Sequence, residues 1–233
     1  MKILYGAVLT AATLALLAPA AKAQAPAPPR AEPANLAVTY LEVLPSALAQ
    51  AEALFKQLAA DSRKEGGNQR YQILQQNDRN AQFVIVEAWS DPKAAEAHFG
   101  GAVLKQFRDK FKPIEAAYFD ERPSIVTIGP SEAKPTSGAL FAVTHVDLIP
   151  PRRDAAIAMF KTLADDARKE PGYESFDVWY QNNRTNHFTF IEVWKDRASF
   201  DAHKAKPDTV EFRDKLGPMA GALYDERLYH EID

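Results

Sequence analysis

The chain is written twice. Ala37 to Arg122 aligns with Ala142 to Arg227 without a gap, and about 33 of roughly 86 aligned positions are identical. The matches are spread along the whole length. They include Phe55-Lys56 with Phe160-Lys161, Arg63-Lys64-Glu65 with Arg168-Lys169-Glu170, Phe107 to Lys110 with Phe212 to Lys215, and Asp120-Glu121-Arg122 with Asp225-Glu226-Arg227. A unit of this length is too long for a solenoid repeat and suits one small α+β domain. Whatever fold the chain adopts must therefore seat two copies of one domain.

Within each unit the hydrophobic period changes in a fixed order. Leu36 to Leu44 alternates and is rich in β-branched residues, which predicts a strand. Pro45 opens a helical pattern with Leu48, Ala51, Leu54, Phe55 and Leu58 on one face. Gly66-Gly67 ends that helix, and Pro171-Gly172 ends its counterpart. Two strand-like runs follow, Arg70 to Gln76 and Gln82 to Trp89, joined by Asn77-Asp78-Arg79-Asn80 as a hairpin. Asp91 caps a short helix from Pro92 to Phe99, a further helix covers Leu104 to Phe111, and a last strand runs from Phe119 to Ile128. The order β-α-β-β-α-β is the ferredoxin-like split motif, which packs helices on one face of a four-stranded sheet and leaves the other face bare. Two tandem copies can cover each other's bare face. The expected fold is thus α+β, an intramolecular pseudo-dimer with units at 36–128 and 139–233 and a connector at 129–138.

The first residues read differently. Lys2, the apolar run Ile3 to Leu17, Pro19 and the small-x-small site Ala21-Lys22-Ala23 predict a secretory signal peptide cleaved after Ala23. Its apolar stretch is shorter than the ~20 residues of a membrane span, so no stable membrane insertion is expected after cleavage. Residues 24–35 are rich in Pro and Ala and predict an extended tether. Loss of Lys2 and Lys22 takes the net charge from −3 to −5, which gives nucleic acid no basic surface to bind. A secreted or periplasmic chain without cysteine has neither disulfides nor a thiol nucleophile and must rely on core burial.

One repeated stretch carries chemistry. Phe83, Ile85, Glu87 and Trp89 fall on one face of the third strand, as do Phe188, Phe190, Glu192 and Trp194 in the second copy. His98 and His203 lie on the following helix, which folds back along the sheet, so each His is expected to approach its Trp across a cleft. A plain packing reading stands beside this one. A duplicated Trp can be core, a repeated His can pin helix to strand, and Glu87 or Glu192 can meet Arg108 or Arg122, Arg213 or Arg227. Arg63 to Glu65 and Arg168 to Glu170 read as a solvated helix end, and the two Asp-Glu-Arg segments read as ion pairs across the pseudo-dimer.

The β-α-β-β-α-β unit, its third strand ending in Glu-x-Trp, the following Asp and an Ala-x-x-Ala-x-x-His-type helix (Glu87 to His98, Glu192 to His203) resemble the antibiotic biosynthesis monooxygenase domain of the dimeric α+β barrel superfamily. The resemblance covers nearly all of both repeats. It implies a barrel made of two units with a pocket in each half between sheet and helices. It also implies direct oxidation of a small aromatic molecule, a quinol or polyphenol, by dioxygen without cofactor or metal. On that reading His203 and His98 take the phenolic proton, Glu192 and Glu87 orient them, and Trp194 and Trp89 give a ring its stacking wall. Tyr40, His145, Trp179 and Phe190 complete the expected substrate-binding set, because aromatic and His residues concentrate in the C-terminal copy. The rival from another class is a non-catalytic periplasmic binding or stress-response barrel. A third reading, haem binding or degradation, is weakened because the first strands, Ala37 to Val43 and Ala142 to Leu148, hold no Asn. Assembly of the monomeric pseudo-dimer into a further homodimer stays open.

Overall fold

The computed structural model describes residues 32–131 and 134–232; the expected leader and residues 24–31 of the tether lie outside the described residues. The N-terminal unit runs β1 (Leu36–Val43), α1 (Leu48–Ser62), β2 (Asn68–Gln76), β3 (Gln82–Trp89), α2 (Pro92–Phe99), α3 (Ala102–Phe111) and β4 (Glu115–Ile128). The C-terminal unit repeats this as β5 (Leu140–Asp147), α4 (Arg153–Ala167), β6 (Tyr173–Gln181), β7 (Arg184–Trp194), α5 (Arg197–Ala205), α6 (Pro207–Leu216) and β8 (Asp225–Glu231). Both units have the split order that the periodicity predicts.

The sheets do not merely stack face to face. The strands form one closed barrel in the order β1-β3-β2-β8-β5-β7-β6-β4. One seam is β2 with β8 (Leu74 opposite Glu231, Gln76 opposite Tyr229), and the other is β4 with β6 (Ser124 opposite Gln181, Ile128 opposite Val178). Every pairing is antiparallel, so strands four places apart in the ring run the same way. The pseudo-twofold relating the halves therefore lies along the barrel axis, and both copies of an inward residue meet at the same end.

Strand alternation divides the side chains between an inside and an outside. Inside the barrel, Leu36, Val38, Leu74, Val84, Val86, Phe141, Val143, Trp179, Ile191, Val193 and Tyr229 form one buried cluster. Outside, Phe55 of α1 packs on Phe83, Phe107 and Phe111, with ring centroids 4.5, 5.6 and 5.9 Å away. Phe160 of α4 does the same with Phe188, Phe190 and Phe212 at 5.1, 4.8 and 6.1 Å. The molecule thus has two helix-on-sheet cores flanking a filled barrel.

Candidate functional site

The repeated Glu-x-Trp motif is positioned from both ends. Asp91 and Asp196 accept from the backbone N–H of Ala94 and Ser199, at 2.9 and 2.8 Å, and so start α2 and α5 just beyond β3 and β7. Gly67 and Gly172 hold φ of +85° and +80°, and a Cβ at either would stand within 2.6 Å of Ala94 or 2.1 Å of Ser199. Their carbonyls accept from Ser90 N–H and Lys195 N–H, which clamps the end of the first helix against the start of the short one. That clamp brings Glu65 to His98 and Glu170 to His203.

In the N-terminal half, Trp89 Nε1 donates to Glu87 Oε2 at 2.9 Å, and the His98 ring stacks on Trp89 with centroids 4.5 Å apart. His98 Nδ1 donates to Glu65 Oε2 at 2.5 Å. Its Nε2 lies 3.3 Å from Glu87 Oε2, out of line for a hydrogen bond, and has no hydrogen-bond partner. In the C-terminal half the same network is looser. Trp194 Nε1 donates to Glu192 Oε2 at 3.1 Å, His203 Nδ1 stands 3.1 and 3.2 Å from the Glu170 oxygens, and His203 Nε2 is 3.7 Å from Glu192. Burial pushes Glu87 up to about 8 and Glu192 up to about 7, and it pushes both imidazoles down. Around neutral pH each half thus holds a buried, weakly acidic carboxyl beside a neutral imidazole, whose other nitrogen is tied to a glutamate nearer the surface.

Several expectations are corrected by this geometry. No cleft separates His from Trp, since the rings stack directly. The motif glutamates do not hydrogen-bond arginine: Arg108 meets Glu121, Arg213 meets Glu226, and Arg122 and Arg227 fork onto Asp120 and Asp225 of their own strands. Glu65 and Glu170, read as part of a solvated helix end, are the imidazole partners instead. The clue was in the sequence, because both stand 33 residues before their His.

The remaining expected site residues occupy three other places. Phe190 belongs to the C-terminal helix-on-sheet core. Trp179 points into the barrel, where Arg70 lies 5.8 Å from its ring centroid and its indole N–H has no partner. Tyr40 and His145 line a cavity at one barrel end.

A cavity of ≈ 280 Å³ opens in the C-terminal half, between the sheet and α6, lined by Val146, Asp147, Arg213, Leu216, Leu223, Tyr224 and small residues. Leu223 at its rim is 91% exposed. Arg213 lies 5.2 Å from the Tyr224 ring centroid, and its buried Nε has no hydrogen-bond partner. The Tyr224 phenol is pushed up by burial and next by the charge of Glu192, while a hydrogen bond with Thr144 acts the other way. The equivalent hollow of the N-terminal half is wider, at ≈ 490 Å³, and is lined by Arg108, Phe111, Lys112, Glu115, Phe119, Asp120 and Glu121. Sequence reading missed Arg213 and Tyr224; the signal was Tyr224 standing where the first copy has Phe119. Among the described residues no group of three or more His, Cys, Asp or Glu could hold a metal ion.

Two α+β units closed into one barrel, each with a helix-side Glu-Trp-His cluster, define the chain as a tandem α+β barrel protein. It belongs to the antibiotic biosynthesis monooxygenase family, whose sequence profile matches residues 36–110 and 139–215. An uncharacterized protein of Synechocystis is 32% identical over 103 residues, 43% of this chain and 70% of that protein. The fold is shared with a Fusobacterium nucleatum protein described as a "putative monooxygenase" (TM-score 0.76, 16% identity, 85% of this chain and 92% of that one). A Lactobacillus acidophilus protein of the same description shares it too (TM-score 0.69, 15% identity, 87% and 95% covered). So does an "anthrone oxidase-like protein" (TM-score 0.62, 13% identity, 85% and 92% covered).

Proposed function

We propose that the chain oxidises a small phenolic or quinol ring with dioxygen in the C-terminal cavity. The carrying observation is the part-exposed Arg213 guanidinium, a cationic group in the wall of an otherwise mainly apolar hollow of single-ring size. A flat ring is placed against Leu216, Val146 and Leu223, and the Arg213 guanidinium stabilises its oxygen as negative charge develops there. The ring's hydroxyl proton passes by way of Tyr224 to Glu192, whose value of about 7 suits exchange near neutrality. His203 and Glu170 continue that path toward solvent. The phenolate then supplies electrons to dioxygen. A phenol and one dioxygen give the quinone and one water, the ring losing two hydrogens and gaining one oxygen atom; a quinol and one dioxygen give the quinone and hydrogen peroxide, so neither case requires a further reductant. Family membership supports this chemistry, and export to an oxidising compartment, the expectation from Met1–Ala23, accords with it.

A second reading is favoured by burial. Glu87, Glu192, His98, His203 and both tryptophans are at most 3% exposed and line none of the cavities described above, as packing pins would. Dioxygen uptake by the chain from Gln24 onward, over a panel of phenols and hydroquinones with a chelator present, separates the two. Uptake above the autoxidation blank that disappears in Arg213→Gln is the expected result. A flat trace across the panel leaves the networks as packing devices and the barrel as a binding module.

A further inference from the structure

The barrel end where both Asp-Glu-Arg segments meet holds a second cavity, of ≈ 270 Å³. Its lining comes from β4, β1 and β3 on one wall and from β5 and β8 on the opposite wall, so it is the mouth of the barrel itself. It is separate from the helix-side hollow proposed for the aromatic ring. Arg122 and Arg227 face it as a pseudo-twofold pair, while the twofold is broken by Tyr40 on one side and His145 on the other.

We propose that this mouth binds one small oxyanion, a carboxylate or a phosphate, between the Arg122 and Arg227 guanidinium groups, with Tyr40 and His145 as orienting hydrogen-bond donors. Each guanidinium is held in place by its neighbour on the same strand. Arg122 donates through Nε and Nη2 to Asp120 Oδ2, at 2.9 and 2.6 Å, and Arg227 donates through Nε and Nη2 to Asp225, at 2.9 and 2.7 Å. Arg122 is also stacked over the Tyr40 ring at 4.4 Å. These contacts fix both guanidinium groups, and Arg227 also reaches the Tyr229 hydroxyl of its own strand. Arg122 Nη1 has only a long contact, 3.4 Å, to His145 Nδ1.

Glu42 and the half-exposed Asp120 and Asp225 stand against Arg122 and Arg227, so the lining carries a formal charge of −1 and its sum does not by itself favour an anion. Geometry favours an anion all the same, because Arg122 and Arg227 stand as a pair on opposite walls of the mouth while Asp120 and Asp225 are each engaged by the arginine of their own strand. Burial raises the Tyr40 phenol, so it stays a protonated donor at neutral pH. Burial, then the charges of Arg122 and His187, hold His145 down to about 4, so at neutral pH it adds an N–H donor and no third cation. His187, 5.7 Å away, is itself beside Asp147 at 3.3 Å. Gln82 adds a buried amide oxygen with no hydrogen-bond partner, on a side chain that can turn its NH₂ toward a ligand. Arginine pairs that present planar forks suit carboxylate and phosphate oxygens, and the volume limits the guest to a few heavy atoms.

The test titrates the full chain with inorganic phosphate and, separately, with succinate at neutral pH and low salt. Calorimetry and the His145 imidazole NMR signals, assigned with His145→Gln, are followed. Saturable binding with a Kd on the order of 1 mM or tighter is expected. Arg122→Gln and Arg227→Gln should each weaken it by at least about tenfold. Asp120→Asn, which removes a competitor of the anion while keeping the donor, should tighten it, and Tyr40→Phe should weaken it. The tighter of the two anions identifies the ligand class. No saturable shift with either anion, or saturation by a diamine such as putrescine instead, overturns the proposal. Should the arginine variants fail to fold, Tyr40→Phe and Asp120→Asn decide, and unchanged affinity in both also overturns it. Because the readout is binding, the outcome does not depend on whether the chain oxidises phenols.

Discussion

The two halves share a sequence skeleton and differ in how tightly it is drawn. Around His98 the glutamate contacts are 2.5 and 3.3 Å; around His203 they are 3.1 and 3.7 Å. The N-terminal hollow has Phe119 and several charged side chains in its lining. The C-terminal hollow has Tyr224, Arg213 and an apolar rim. In a homodimer of identical subunits such a divergence is impossible, since one substitution appears twice. Here the N-terminal copy has the shorter glutamate–imidazole contacts and the C-terminal copy the more apolar cavity.

The largest test asks whether the packing is equivalent. Trp89→Ala and Trp194→Ala each remove a fully buried indole and should each cost about 3–5 kcal/mol in chemical denaturation. A cost below about 1 kcal/mol in one half would show that its core does not depend on the motif. Next in size, Arg213→Gln should lower the oxidation rate by about 100-fold, as loss of a donor to a developing oxyanion does, while Arg108→Gln should leave it within about twofold. Equal losses from the two substitutions would assign the chemistry to both halves.

A smaller effect separates the buried acids by pH. Their folded pKa values lie above the unfolded value of 4.5, so the folded chain binds the extra proton and stability falls as pH rises, up to about 7 for Glu192 and about 8 for Glu87. His98 and His203 are shifted down and oppose this only below 6.5. Between about pH 7 and 8 the unfolding free energy should therefore decline by roughly 1 kcal/mol per pH unit, and Glu87→Gln should flatten that decline while Glu192→Gln does not. Denaturant melts across the range measure it, and the reverse pattern would exchange the two assignments. The smallest effect should be symmetric: Asp91→Ala and Asp196→Ala each lose a helix cap worth about 1 kcal/mol. A markedly larger loss at one would show that its short helix is the weaker support.

Element order and duplication were legible because periodicity reports which face of each segment is buried. Closure of the barrel was expected from the family resemblance and is what the strands form, but periodicity alone did not report it. The β2–β8 and β4–β6 seams are backbone ladders, and any side chains can flank them. The alternation of Leu36, Val38 and Tyr40 against Ala37, Thr39 and Leu41 already separated Tyr40 from the helix-side motif. Grouping Tyr40 and His145 with the tryptophans overlooked that period of two. Glu65 and Glu170 were hidden for a different reason. A charged residue at a helix end has a local explanation, and only the glycine clamp beyond it turns that residue toward a distant imidazole. Arg213 and Tyr224 needed three dimensions, since a cavity depends on what fails to fill space.

The two seams have one more consequence. In an ordinary dimer, ladders of this kind form by a second-order encounter and come apart on dilution. Here residues on both sides of each seam belong to one chain, and a short tether sets an effective concentration in the millimolar range whatever the bulk amount. The barrel should therefore show unfolding midpoints that do not change with protein concentration, and scarcity of the protein does not cost it its shape.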